Sequence, residues 1–109
     1  MEEALHRIAE RRALVRDRLE RIERRLRGVR DARAEWTDEE HDPEGFATVF
    51  EWSQAEGARV EHTAELADLD RAEARVRDGV YGVCERCGEP IPDGQLELRP
   101  ARTTCVACV

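Results

Sequence analysis

Four cysteines fall in two pairs, Cys84-x2-Cys87 and Cys105-x2-Cys108, with 17 residues between the pairs. Two CxxC pairs at this separation are the ligand pattern of a four-thiolate zinc site. Each pair can form a knuckle with both sulfurs inward. The stretch Gly88-Glu89-Pro90-Ile91-Pro92-Asp93-Gly94 holds turn residues that bring the second knuckle back to the first. Four thiolates close the tetrahedron and leave no position for water or substrate, so one structural Zn2+ per chain is expected and zinc catalysis is not. The competing readings are four unligated cysteines or a thiol redox pair. Thiolate ligands are oxidisable, which keeps a redox sensor compatible with the pattern. A segment this short cannot bury a core alone, so metal binding and its folding should be coupled.

The other chemistry-bearing residues do not assemble into a catalytic set. His6, His41 and His62 lie far apart, and no Ser/His/Asp arrangement or phosphate loop is present. Five acids, Asp38, Glu39, Glu40, Asp42 and Glu44, crowd residues 37–44 with no base among them. They share one polar loop and lack the fixed geometry of an acid/base pair, so a non-enzyme is expected. The net charge of −7 is carried by that loop and by residues 45–78, whereas residues 1–36 hold 11 Arg against 8 acids. Duplex binding relies on basic side chains that neutralise phosphates. Specific DNA contact is therefore not expected, although the Arg-rich first segment leaves a zinc-finger nucleic-acid module as an alternative.

Two elements must carry the acidic loop and the cysteines. From Leu5 the apolar positions step by three and four through Ile8, Val15, Leu19, Ile22, Leu26, Val29 and Trp36, with Arg12 and Arg33 at the missing steps. That period of about 3.5 residues marks a coiled-coil seam and predicts a helix over residues 2–36. Residues 37–45 contain no apolar side chain. Asp42 can cap, and Pro43 suits the first turn of, a second helix over residues 43–78 that stops at Gly79. On it, Phe46, Phe50, Val60, Ala64, Ala67 and Ala74 read as the seam, with Leu66, Leu69 and Val76 beside it. Equal arms around a short polar break predict an antiparallel hairpin. Partner numbers then sum to about 82, pairing Ile22 with Val60, Leu19 with Ala64 and Val15 with Ala67 at the rise of about 1.5 Å per residue. The expected organisation is a mostly α chain: a coiled-coil hairpin over residues 1–78 with an acidic tip near 37–45, then a four-cysteine zinc finger over 79–109.

Gly79-Val80-Tyr81-Gly82-Val83-Cys84-Glu85-Arg86-Cys87-Gly88-Glu89-Pro90-Ile91-Pro92, Leu96-Glu97-Leu98-Arg99-Pro100 and Cys105-Val106-Ala107-Cys108 together resemble the zinc finger of the DksA/TraR family. The order helix, tip, helix, finger is also that family's, so the resemblance spans nearly the whole chain. It implies a bacterial transcription regulator that binds RNA polymerase, with the hairpin in the secondary channel and tip acids near the catalytic magnesium. The family's tip pattern, Asp-x-x-Asp-x-Ala, falls on Asp42 to Ala47, where Gly45 stands at the second Asp. The implied partner-binding residues are Asp42, Glu44 and Ala47, with Asp38, Glu39 and Glu40 adding charge. Arg99 matches a basic alarmone contact of responsive members, while Asp68 and Val109 stand where others would be basic, so weak alarmone dependence is expected. The C-terminal helix of longer members has no counterpart after Cys108. An acidic N-terminus without an apolar run, and no membrane span, point to the cytoplasm, and a monomeric hairpin is expected.

Overall fold

The computed structural model describes the backbone of residues 1–35 and 43–108 and the side chains of residues 1–31 and 49–108. Helix α1 spans Glu2–Glu35 and helix α2 spans Pro43–Arg77. Arg, Glu, Leu and Ala fill them, and these lose little rotamer freedom in a helix. Glu2 and Glu3 occupy the first turn of α1, while Arg75 and Arg77 occupy the last turn of α2, each sign facing the opposite end of the helix dipole. Gly79, at φ +76°, ends α2. Its N–H reaches Val76 O at 3.1 Å and the Val80 N–H reaches Arg75 O at 3.0 Å, the paired bonds of a Schellman stop.

The chain divides into two compact units, and both long helices contribute to each. The first comprises Met1–Val15 with Glu65–Val109, and the second comprises Arg16–Ala64. In the first, Ile8, Leu69, Ala72 and Val76 form a buried cluster, with Leu5 and Leu66 packed against it. Arg12 occupies the gap in the apolar stripe. Its Nη2 donates to Asp70 Oδ1 at 3.0 Å and to Glu73 Oε2 at 2.6 Å. Arg11 forks onto Glu65 at 2.6 and 2.9 Å. In the second unit, Leu26 and Ala55 are buried and Arg25 Nε donates to Glu51 at 2.7 Å. Within each unit the helices run antiparallel.

On α1, every stripe position from Leu5 to Val29, Arg12 included, is buried or half-buried, as the heptad requires. The reading of α2 needs a correction. Phe50 is 63% exposed and Val60 54%, and Ala64, Ala67 and Ala74 are exposed as well. The pairings of Ile22 with Val60, Leu19 with Ala64 and Val15 with Ala67 therefore do not form. The inward stripe is Trp52, Ala55, Arg59, His62, Leu66, Leu69, Glu73 and Val76, again stepping by three and four. Leu66, Leu69 and Val76 offer more apolar area than the alanines at comparable depth, and burial follows area. The polar members of this stripe find charged partners instead, such as Glu73 with Arg12 and Arg59 with Glu56.

Candidate metal centre

The Schellman stop of α2 throws the chain directly into the first knuckle. Gly82 at φ +83° and Gly88 at φ +74° supply the left-handed backbone that only glycine adopts without strain. Cys84 N–H donates to Glu89 O and Gly88 N–H to Cys84 O, both at 2.9 Å, closing the turn around Cys84 and Cys87. Val83 and Pro90 form a single antiparallel bridge across its base. The short helix α3, Asp93–Leu98, then places Leu96 under the site, and a one-turn 3-10 helix, Val106–Cys108, carries the second knuckle. Gln95 Oε1 accepts the Val106 N–H at 3.0 Å, tying α3 to that knuckle. Glu85 N–H reaches Thr103 O at 2.9 Å and Arg86 Nη1 reaches Cys108 O at 3.0 Å, so the two knuckles hold each other.

The result brings the four predicted cysteines to one point: their sulfurs all lie within 4.8 Å of one another. Cys84 is buried and Cys87 is exposed. The Cys87 and Cys105 Sγ atoms are 3.8 Å apart. A tetrahedron with metal–sulfur bonds of about 2.3 Å has sulfur–sulfur edges of about 3.8 Å, so the sulfur spacing suits zinc. The electrostatics also ask for a cation. Backbone N–H groups of Cys87 (3.5 Å) and Cys105 (3.4 Å) point at Cys84 Sγ and lower its pKa to about 6. Cys108, crowded first by the Cys105 sulfur and then by those of Cys84 and Cys87, is pushed up to about 12. One thiolate is stabilised by the backbone, and further negative charge is resisted until a metal neutralises it. When bound, zinc would supply a fixed tetrahedral crosslink among Cys84, Cys87, Cys105 and Cys108.

Two residues that frame this centre, Tyr81 and Arg75, were assigned no role from the sequence. Tyr81 packs against both the helix cluster of Ile8 and Leu69 and the finger cluster of Cys84, Ile91 and Leu96. Its hydroxyl donates to Pro100 O at 2.7 Å. Burial raises its pKa, against the pull of the Arg7 guanidinium. Arg75, in the last turn of α2, donates to Glu85 Oε1 at 2.9 Å and to the Val80 and Val83 carbonyls at 3.1 and 2.8 Å. The base of the hairpin and the finger thus share one packed junction. The only hint in the sequence was a lone tyrosine between Gly79 and Gly82.

The remaining predicted site residues are not brought to this centre. Asp38, Glu39, Glu40, His41 and Asp42 lie outside the described residues, as does Trp36. Glu44, Gly45 and Ala47 fall in the N-terminal turns of α2. Arg99 follows α3, is exposed, and spends its N–H on Gln95 O at 3.0 Å. Asp68 lies on α2, paired with Arg71.

Comparison with known proteins agrees with this geometry. Residues 79–108 match the family model of the prokaryotic dksA/traR C4-type zinc finger. A 41-residue stretch is 49% identical to the RNA polymerase-binding transcription factor DksA of Caulobacter vibrioides, covering 38% of this chain and 29% of that protein. A 43-residue stretch is 46% identical to general stress protein 16O of Bacillus subtilis, covering 38% of this chain and 26% of that protein. An uncharacterized protein of Aquifex aeolicus is 42% identical over 45 residues, 41% of this chain and 31% of its own length. The chain thus spans about three tenths of the relatives it matches in sequence. Among solved structures, transcription factor DksA2 from Pseudomonas aeruginosa shares the fold. It matches at a TM-score of 0.53 and 21% identity, over 94% of this chain and 80% of that one.

Proposed function

We propose that this chain, which belongs to the DksA/TraR family of C4-type zinc-finger proteins, is a transcription regulator that binds bacterial RNA polymerase. The observation that carries the reading is the finger: a closed four-cysteine cluster whose segment matches the dksA/traR model. The finger holds one structural zinc on Cys84, Cys87, Cys105 and Cys108 and locks the base of the hairpin through Tyr81 and Arg75. The hairpin enters the secondary channel, and the acids Asp38, Glu39, Glu40, Asp42 and Glu44, with Ala47, act near the polymerase active site. A narrow helix pair with five acids at its turn can perturb a bound metal or a basic loop at the end of a pore. The protein works in the cytoplasm as a non-enzymatic regulator. Among the described residues, no helix is long and apolar enough to cross a membrane.

The tip separates this reading from its rivals. Asp42→Asn together with Glu44→Gln removes two charges while Asn caps a helix nearly as well as Asp. Helix content, zinc and polymerase binding should persist, and the effect on a sensitive promoter in a purified system should vanish. Gly45→Asp, which completes the family's tip pattern, should strengthen it. A double variant that regulates like the parent would count against a role for the tip.

A further inference from the structure

The second unit carries a groove of about 580 Å³ between its two helix segments. Leu26, 6% exposed, lies at its base. One wall is α1, with Arg27 and Arg30; the other is α2, with Trp52, Glu56 and Arg59. Its charges are unevenly satisfied. Arg59 contacts Glu56 at 2.6 to 3.1 Å and also lies in the field of Glu23. Glu56 is therefore held by one guanidinium, and Glu23 adds only its longer-range field there. Arg27 and Arg30 are exposed and meet no described carboxylate. The Arg30 guanidinium lies 5.8 Å from the centre of the Trp52 ring. Stacking uses the flat face of a guanidinium and leaves its in-plane N–H donors available for a forked bond. Three cations against two acids make the groove positive on a chain whose net charge is −7.

We infer that this groove is a docking surface for an acidic segment of the polymerase, whose carboxylates pair with Arg27 and Arg30 while its chain packs on Trp52. The inference rests on the polymerase reading above. Trp and Arg are the residue types that concentrate binding energy at interfaces. A carboxylate accepts the Arg fork in two parallel bonds. Nucleic acid fits less well, because its affinity comes from many phosphate contacts, whereas Arg59 is held by Glu56 and only Arg27 and Arg30 remain to make them.

The test uses the full zinc-loaded chain with Trp36→Phe, labelled with 5-hydroxytryptophan, whose red-shifted absorption lets Trp52 be excited apart from the indoles of the polymerase. Purified core polymerase is titrated while emission is read, and binding is measured in parallel by sedimentation. Emission from Trp52 should change on binding, and Arg27→Gln with Arg30→Gln should weaken binding by about tenfold or more. Both arginines are exposed, so helix content and zinc should be unchanged. Binding within about twofold of the parent, or a silent Trp52 in a complex that sediments, would overturn the inference while sparing the polymerase reading. Failure of the parent to sediment with polymerase would overturn both. Arginine-dependent binding of a single-stranded oligonucleotide would replace the carboxylate ligand with a phosphate one, and so overturn it too.

Discussion

Gly88 stands at φ +74° inside the first knuckle, with open space where a Cβ would sit. Gly88→Ala therefore meets no atom and costs only the left-handed backbone, about 1–2 kcal/mol. Its effect should appear as a zinc affinity lowered by about tenfold in chelator competition, with the fold retained. The sulfurs set a pH dependence as well. The Cys84 pKa, lowered to about 6, favours the metal-free fold at neutral pH, and that advantage is lost as pH falls through about 6. Cys108, pushed up to about 12, and Cys87, raised by the Cys84 sulfur and burial against the Glu89 amide, still hold protons at neutral pH. Zinc must displace at least those two, so apparent affinity should fall by about two decades per unit as pH drops from about 8 to 6. A pH-independent affinity would show that the thiols are not the ligands. At this scale the four cysteines were legible, because metal chemistry demands a residue type at a spacing. Tyr81 and Arg75 were not, because a hydroxyl reaching Pro100 and a guanidinium spanning Val80, Val83 and Glu85 depend on how the chain turns.

Among the elements, α1 was readable as far as its side chains are described, through residue 31, and α2 only in extent. The stripe of α1 is interrupted at Arg12 among the described residues, so its period survives inspection. The inward stripe of α2 holds Arg59, His62 and Glu73, whereas its outward face reads Phe50, Val60, Ala64, Ala67 and Ala74 and looks cleaner. Periodicity sees apolar character; it does not see that Glu73 meets Arg12 across the seam at 2.6 Å. The corrected face makes a sharp contrast. Leu69 is fully buried against Ile8, and Leu69→Ala should cost about 2–5 kcal/mol in denaturant unfolding. Val60→Ala, on the exposed face, should stay within about 0.5 kcal/mol. Equal losses from the two would restore the face read from sequence.

In the first unit, the finger and the hairpin base are packed against each other. Ala101 and Tyr81 from the finger segment pack on the Ile8 and Leu69 cluster, and Arg75 of α2 bonds back into the finger. Cys105→Ser should therefore abolish stoichiometric zinc and also speed amide exchange in residues 66–76 of α2, beyond the loss of the finger itself. Unchanged exchange there would mean that the junction is not cooperative. The family resemblance was visible in the finger because ligand and turn residues fix its sequence, while the helices are generic and the tip lies outside the described residues. Whether this molecule is a polymerase-binding regulator is decided by equilibrium binding. The zinc-loaded chain should bind purified bacterial core RNA polymerase saturably and be displaced by an established secondary-channel binder. Absence of binding, or binding that such a competitor leaves untouched, would mean that the chain does not act through the secondary channel.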